Sequence, residues 1–258
     1  MLFEVFWHTL LEQRRTLLAY GLGLLVYGLL AALVYPRLAM HSLPGMMGWF
    51  EQLVGIERPL RSAELWLNLA GFALVFPLVI CSLAIWSGSR LIVADEQSGD
   101  LDLLLSYPLS RRRLALEKFA ALAAGIMLIT ATLWLMLALA NAAAHLKIPA
   151  QHLASACLGL GLLGLAFGAL AFCIASHTAR AAYARWIAWI VMGLTYLLSA
   201  TWLHGISFFS LLSPFYYADA LYPYGAGLPW LHIILLLAIT AVCLDMARRG
   251  FERRDLAV

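Results

Sequence analysis

The chain has 258 residues, of which 64% are hydrophobic and 12% charged, with a formal net charge of +3 and a mean hydropathy of +0.87. A soluble domain of this length needs a polar skin that so few polar residues cannot supply, so the solvent around most of the chain is lipid. The apolar runs are continuous rather than alternating. In hydrocarbon every backbone group must be satisfied internally, and such runs do so as helices rather than as a barrel.

Residues 2–15 open the chain with Phe3, Phe6, Trp7, Leu10 and Leu11 at helical spacing, and with Glu4, His8, Glu12 and Arg15 opposite them. The stretch is too short and polar to span and has no signal-peptide pattern, so it is expected to lie in the headgroup region. A first span follows at about 16–35, ended by Pro36. Residues 37–63 form a polar connection with room for one short amphipathic helix. The second apolar run, about 65–94, is longer than a bilayer needs and must tilt, kink at Pro77 or protrude. After the charged segment 95–118, further spans are expected at about 119–140, 153–176, 186–203 and 229–246. The link 204–228 is aromatic, rich in Pro and Gly, and nearly uncharged.

Charge gives the orientation. One set of connections collects Arg14, Arg15, Arg90, Arg111, Arg112, Arg113, Lys118, Arg180, Arg185, Arg248, Arg249, Arg253 and Arg254. The other holds Arg37, Arg58, Arg61 and Lys147. Thirteen against four, alternating across six spans, places both ends of the chain in the cytoplasm.

The loop after the second span is unlike the others. Asp95, Glu96, Asp100 and Asp102 surround a Ser98-Gly99 break, and Leu101, Leu103, Leu104 and Leu105 follow. Tyr107-Pro108 ends that helix, and Ser110 stands where it can cap the next one, ahead of Arg111, Arg112 and Arg113. Leucines exposed there need a cover. Lipid is one cover, but acids beside an anionic leaflet argue against it, and a protein partner is the better reading.

The string Glu96-Gln97-Ser98-Gly99-Asp100-Leu101-Asp102-Leu103-Leu104-Leu105-Ser106-Tyr107-Pro108-Leu109-Ser110-Arg111 resembles the E-x-x-G-T-L-(D/E)-L-L-L-x-x-P-(V/L)-S-R signature of type-2 ABC export permeases. Asp100 stands where threonine is commoner, and Lys118 matches that family's lysine at the start of the third span. The likeness extends along the chain through Gln13-Arg14-Arg15, through Leu212-Ser213-Pro214-Phe215-Tyr216-Tyr217, and through Arg253-Arg254-Asp255-Leu256. It implies an all-α membrane protein, a single permease domain over 1–258 with six transmembrane helices. It also implies an N-terminal interfacial amphipathic helix, a cytoplasmic coupling helix at about 95–108 and an outer re-entrant segment at about 206–225.

The resemblance further implies a dimer, with a second copy or a related chain, driven by cytoplasmic ABC ATPase subunits in a bacterial or archaeal plasma membrane. ATP and magnesium would sit on the ATPase, and no nucleic acid is involved. Docking would fall to Asp95, Glu96, Ser98, Gly99, Asp100, Leu101, Asp102, Leu104, Leu105, Tyr107, Pro108 and Arg111, assisted by Phe3, Phe6, Trp7, Leu10, Glu12, Arg14 and Arg15. Ser213, Pro214, Phe215, Tyr216 and Tyr217 would build the outer segment.

Other readings have less to stand on. The chain has two lysines, Lys118 and Lys147, and no GxxxxGK[ST] pattern to cradle a nucleotide. An intramembrane enzyme needs paired polar groups at depth, whereas Asn68, Asn141, His232 and Asp245 have no partner at helical spacing. An ATP-independent carrier is the runner-up, although no internal repeat is visible. Cys81, Cys157, Cys173 and Cys243 are scattered singly, with no disulfide or zinc spacing. Gly161, Gly164, Gly168 and Ala171 form a small-residue stripe on the fourth span, expected to pack within one subunit, with a dimer contact as the alternative.

Overall fold

Six helices long and apolar enough to cross a membrane organise the computed structural model. It describes residues 4–40, 67–98, 110–199, 212–218 and 228–253. Among the described residues there are helices and connecting turns and no strand. The polar connection expected to hold a short helix falls largely at 41–66, outside the described residues.

Helix α1 runs Glu4–Met40 without a break. The amphipathic opening and the first span are therefore one rod, about 55 Å long at 1.5 Å per residue. That exceeds the hydrocarbon thickness, so the rod must tilt or extend beyond the apolar layer. Pro36 does not end it. A proline removes one hydrogen bond, here to the Ala32 carbonyl, and the ladder resumes on either side.

The second run starts with a π-helical turn, Asn68–Phe72, closed by the Ala73 N–H donating to the Asn68 carbonyl at 2.7 Å. Leu74 then leaves helical geometry, with φ −135° and ψ −55°, and α2 spans Val75–Arg90. The break thus precedes Pro77. In the first turn of α2 its missing N–H forfeits nothing, because those donors have no helical acceptor. A tight turn at Leu91–Ile92 leads into α3, Val93–Ser98.

Helix α4, Arg111–Ala143, begins well before the expected third span, and α5 spans Ala150–Thr178. Asn141 clasps the link between them: its Nδ2 donates to the Ile148 carbonyl at 2.8 Å, and the Ile148 N–H donates to its Oδ1 at 3.1 Å. That clasp holds His145 and Lys147 at φ 50° and 60°. The polar turn expected at 177–185 is narrower, because Ala179 takes the left-handed region (φ 54°) and α6, Ala181–Ser199, starts two residues later. A short α7, Pro214–Ala218, and α8, Trp230–Arg253, complete the described chain.

Helix α5 is the hub, packing against α2, α4, α6, α7 and α8. Lipid tails are as apolar as leucine, so helix association here depends on close packing, and small residues permit it. Gly161 faces Thr130 and Met127 of α4, Gly164 faces Ile80 of α2, and Gly168 faces Ala84 and Leu122. The small-residue stripe is therefore used within the subunit, as expected. Gly88 and Gly168 bring α2 and α5 into backbone contact.

These contacts also set directions. Gly125 meets Leu17 and Gly28 meets Leu133, so α1 and α4 run parallel, while Gly250 against His177 aligns α5 with α8. Arg111 lies over Phe251 and Arg185 over Trp86. The start of α1, the end of α2, the starts of α4 and α6, and the ends of α5 and α8 thus share one end of the bundle. It is the basic end.

Candidate functional site

The root of the acidic loop lies at this basic end and is held by an ion pair. Lys118, on the second turn of α4, is 4% exposed. Its ammonium donates to the Leu91 carbonyl at 2.8 Å and pairs with the Asp95 carboxylate. The Leu91 carbonyl is available because the tight turn there interrupts the helical ladder between α2 and α3. One cation thus ties the last turn of α2 and the first turn of α3 to α4. Asp95 has a side chain only 13% exposed. Expected among the docking residues, it is instead turned inward as part of this anchor.

Beside the pair lies a cavity of about 130 Å³, bounded by Trp86, Ser87, Arg90 and Leu91 of the α2 end, Ala94 and Asp95, Lys118, and four residues of α1. Those four are Thr9, Glu12, Gln13 and Thr16. Thr9, Gln13 and Thr16 recur at i, i+4 and i+7 and turn one polar stripe toward the bundle. Sequence reasoning missed this stripe because it read the opening helix for its apolar face. The signal was present: three uncharged polar residues at helical spacing entering an apolar rod. The Gln13 side-chain oxygen is buried with no hydrogen-bond partner among the described residues. A polar cavity of this size suits a small cluster of water.

Of the apolar residues expected on the opening helix, Trp7 and Leu11 face outward, whereas Phe6 and Leu10 are half-buried. Phe6 meets Trp7 edge to face at 5.6 Å. Glu12, Arg14 and Arg15 are exposed, and Phe3 lies outside the described residues. On α3, Glu96 is half-buried, and Ser98 is its last residue. Gly99, Asp100, Leu101, Asp102, Leu104, Leu105, Tyr107 and Pro108 lie outside the described residues. Ser110 caps α4 as anticipated: with φ −70° and ψ 140°, its hydroxyl accepts from the Arg113 N–H at 3.3 Å. Ser110→Ala should lower stability by about 1 kcal/mol, the usual worth of such a cap, readable as an earlier thermal unfolding midpoint. Arg111 places its guanidinium 6.0 Å from the Phe251 ring centre.

At the opposite end the Ser213–Tyr217 string acts as a plug. The Ser213 hydroxyl donates to the Thr195 carbonyl at 2.7 Å and accepts from the Phe215 N–H at 3.2 Å, and Pro214 takes the first helical position. Phe215 inserts between Phe167 and Tyr196, with ring centres 5.6 and 5.3 Å away. The Ala218 carbonyl rests where a side chain on Gly159 would stand. Tyr216 and Tyr217 enclose His232 at 5.7 and 5.1 Å, so His232 packs against this plug. Residues 206–211 and 219–225 of the expected re-entrant segment lie outside the described residues.

Asp245 does have partners at helical spacing, contrary to the sequence reading: Arg248 and Arg249, each at 2.6 Å. They are the i+3 and i+4 pairs of a helix end, where cations also complement the dipole.

A family model described as an ABC-2 family transporter protein matches residues 7–256. A search of curated proteins gives no match.

Proposed function

The chain belongs to the ABC-2 transporter family, and from that premise we propose that it is the permease of an exporter, working as a dimer driven by separate ABC ATPase subunits. As a family member it is a multi-pass membrane translocation component. ATP with magnesium is bound by the ATPase, since this chain has no nucleotide-cradling motif. The basic end faces the cytoplasm of a bacterial or archaeal cell, as the thirteen-to-four charge imbalance supports, and both ends of the chain lie there.

The observation that carries this reading is the anchored root. Lys118 joins the end of α2 and the start of α3 to α4, directly before the acidic, leucine-bearing segment. A segment free at its root would absorb a push. One pinned to two spans passes it into the bundle as a lever. In the proposed cycle, ATP draws the two ATPases together, each pushes on a coupling segment, and the cavity between two permeases changes its access. Glu96, Asp100 and Asp102 make the acidic contacts, Leu101 and Leu104 the packing face, and Gly99 and Pro108 bound the helix. The 206–225 segment re-enters the outer face, held by the Ser213–Tyr217 plug.

The test is charge reversal at Glu96 and Asp100, read by capture of an ABC ATPase from membranes of the producing cells. The reversed chain should still insert and purify as a monodisperse protein but lose the ATPase. Retention of the ATPase at the original level would sink the docking assignment.

A further inference from the structure

We propose that Arg90, Trp86 and Arg185 at the basic end form a binding site for the phosphate headgroup of an anionic lipid. Two guanidiniums from different helices converge on one indole. The Arg185 guanidinium carbon lies 4.1 Å from the Trp86 ring centre, and that of Arg90, one turn along α2, lies at 5.7 Å. Cation–π attraction holds each against the ring, so two like charges share one aromatic side chain.

Among the described residues neither is in an ion pair, although Glu12 lines the same cavity as Arg90. Elsewhere at this end, Lys118 is matched by Asp95, Arg113 by Glu117, and Arg248 and Arg249 by Asp245. Among the described residues no carboxylate pairs with Arg90 or Arg185, and the nearby Asp95 is already taken by Lys118. Two planar guanidiniums lie against a common ring, and each carries the fork of N–H donors that grips phosphate oxygens.

The surroundings favour a lipid over a free anion. Trp86 is 42% exposed, and Tyr183 and Trp186, beside Arg185 on α6, open outward. Aromatic residues at the ends of spans mark headgroup level, and basic pockets between helices there take anionic headgroups. Arg90 is the last residue of α2, directly before the Leu91–Ile92 turn. A headgroup between Arg90 and Arg185 would therefore bridge α2 to α6 at the root of the coupling segment. Binding stands apart from the permease reading, and only its effect on coupling rests on it.

The experiment is native mass spectrometry of the purified full chain, offered phosphatidylglycerol and phosphatidylcholine separately. Phosphatidylglycerol adducts should be retained in preference, and the double variant Arg90→Gln/Arg185→Gln should cut that retention about tenfold. Arg249→Gln, which removes an arginine already paired with Asp245, should leave it unchanged. Arg90→Lys/Arg185→Lys keeps both charges and checks that the fold tolerates change at these positions. It should preserve the preference at lower retention. Equal retention of the two lipids overturns the site, as does an equal loss in Arg249→Gln. Complete displacement by millimolar inorganic phosphate would assign the site to a free anion and overturn the lipid.

Discussion

Asp95→Ala is expected to destabilise the folded chain by about 3 kcal/mol, because it strands the Lys118 ammonium in a setting that leaves it only 4% exposed. Breaking one side of a buried ion pair costs about 3–5 kcal/mol in general. The lower end applies here because the neighbouring polar cavity gives water a path to the pair. Lys118→Met should cost less, since the carboxylate left behind lies nearer solvent, at 13% exposure. The double variant should fall short of the sum by about 2 kcal/mol, a coupling typical of residues in one network. Thermal unfolding of the four proteins in one detergent closes this cycle, and strict additivity would mean that the pair does not hold the root. Under the permease reading, Lys118→Met should also lower ATP-driven transport while ATPase capture persists, because the lever is loosened and the docking surface is not.

Gly88→Leu should be at least as damaging. A side-chain carbon on Gly88 would collide with the Gly168 carbonyl oxygen and backbone of α5. Backbone cannot swing aside as the tip of a long side chain can, so α2 and α5 would have to separate. Overpacking of this kind costs about 1–3 kcal/mol and occasionally more. Leucine on the α2–α5 seam belongs at or above the top of that range, and α5 is the hub on which five other described helices pack. Gly21→Ala and Gly193→Ala are the comparison, since nothing lies within 4 Å of a carbon added at either. They should be neutral or stabilising by up to about 1 kcal/mol, as alanine is the better helix former. Equal melting temperatures for Gly88→Leu and Gly21→Ala would refute the seam.

Much of the architecture was legible in the chain. Transfer of apolar side chains to lipid is nearly additive along a run, so six spans follow from hydropathy alone. Their ends were less legible. The readings at Pro36 and over 177–185 placed boundaries at a proline and at polar residues, yet the helix continues through Pro36 and resumes at Ala181. Inside a bundle, one lost hydrogen bond or a few polar side chains do not outweigh the demand that the backbone stay paired. Ser110 was legible because capping is decided within four residues. Asp95 was not, because its sequence neighbours are acidic and nothing local says that Lys118, 23 residues away, will claim it.

Composition and pattern alone are enough to give six membrane spans, cations gathered at one side and an acidic, leucine-bearing segment between the second and third spans. These are sums of local terms: burial of apolar area, helical period and the count of charge per connection. Helix packing in three dimensions is what puts α5 at the centre, turns the polar stripe of Thr9, Gln13 and Thr16 onto a cavity, and sets both Arg90 and Arg185 against Trp86. Each of these depends on helices remote in sequence lying side by side in a particular register. That register is set by where small residues let backbones approach, as at Gly88 and Gly168.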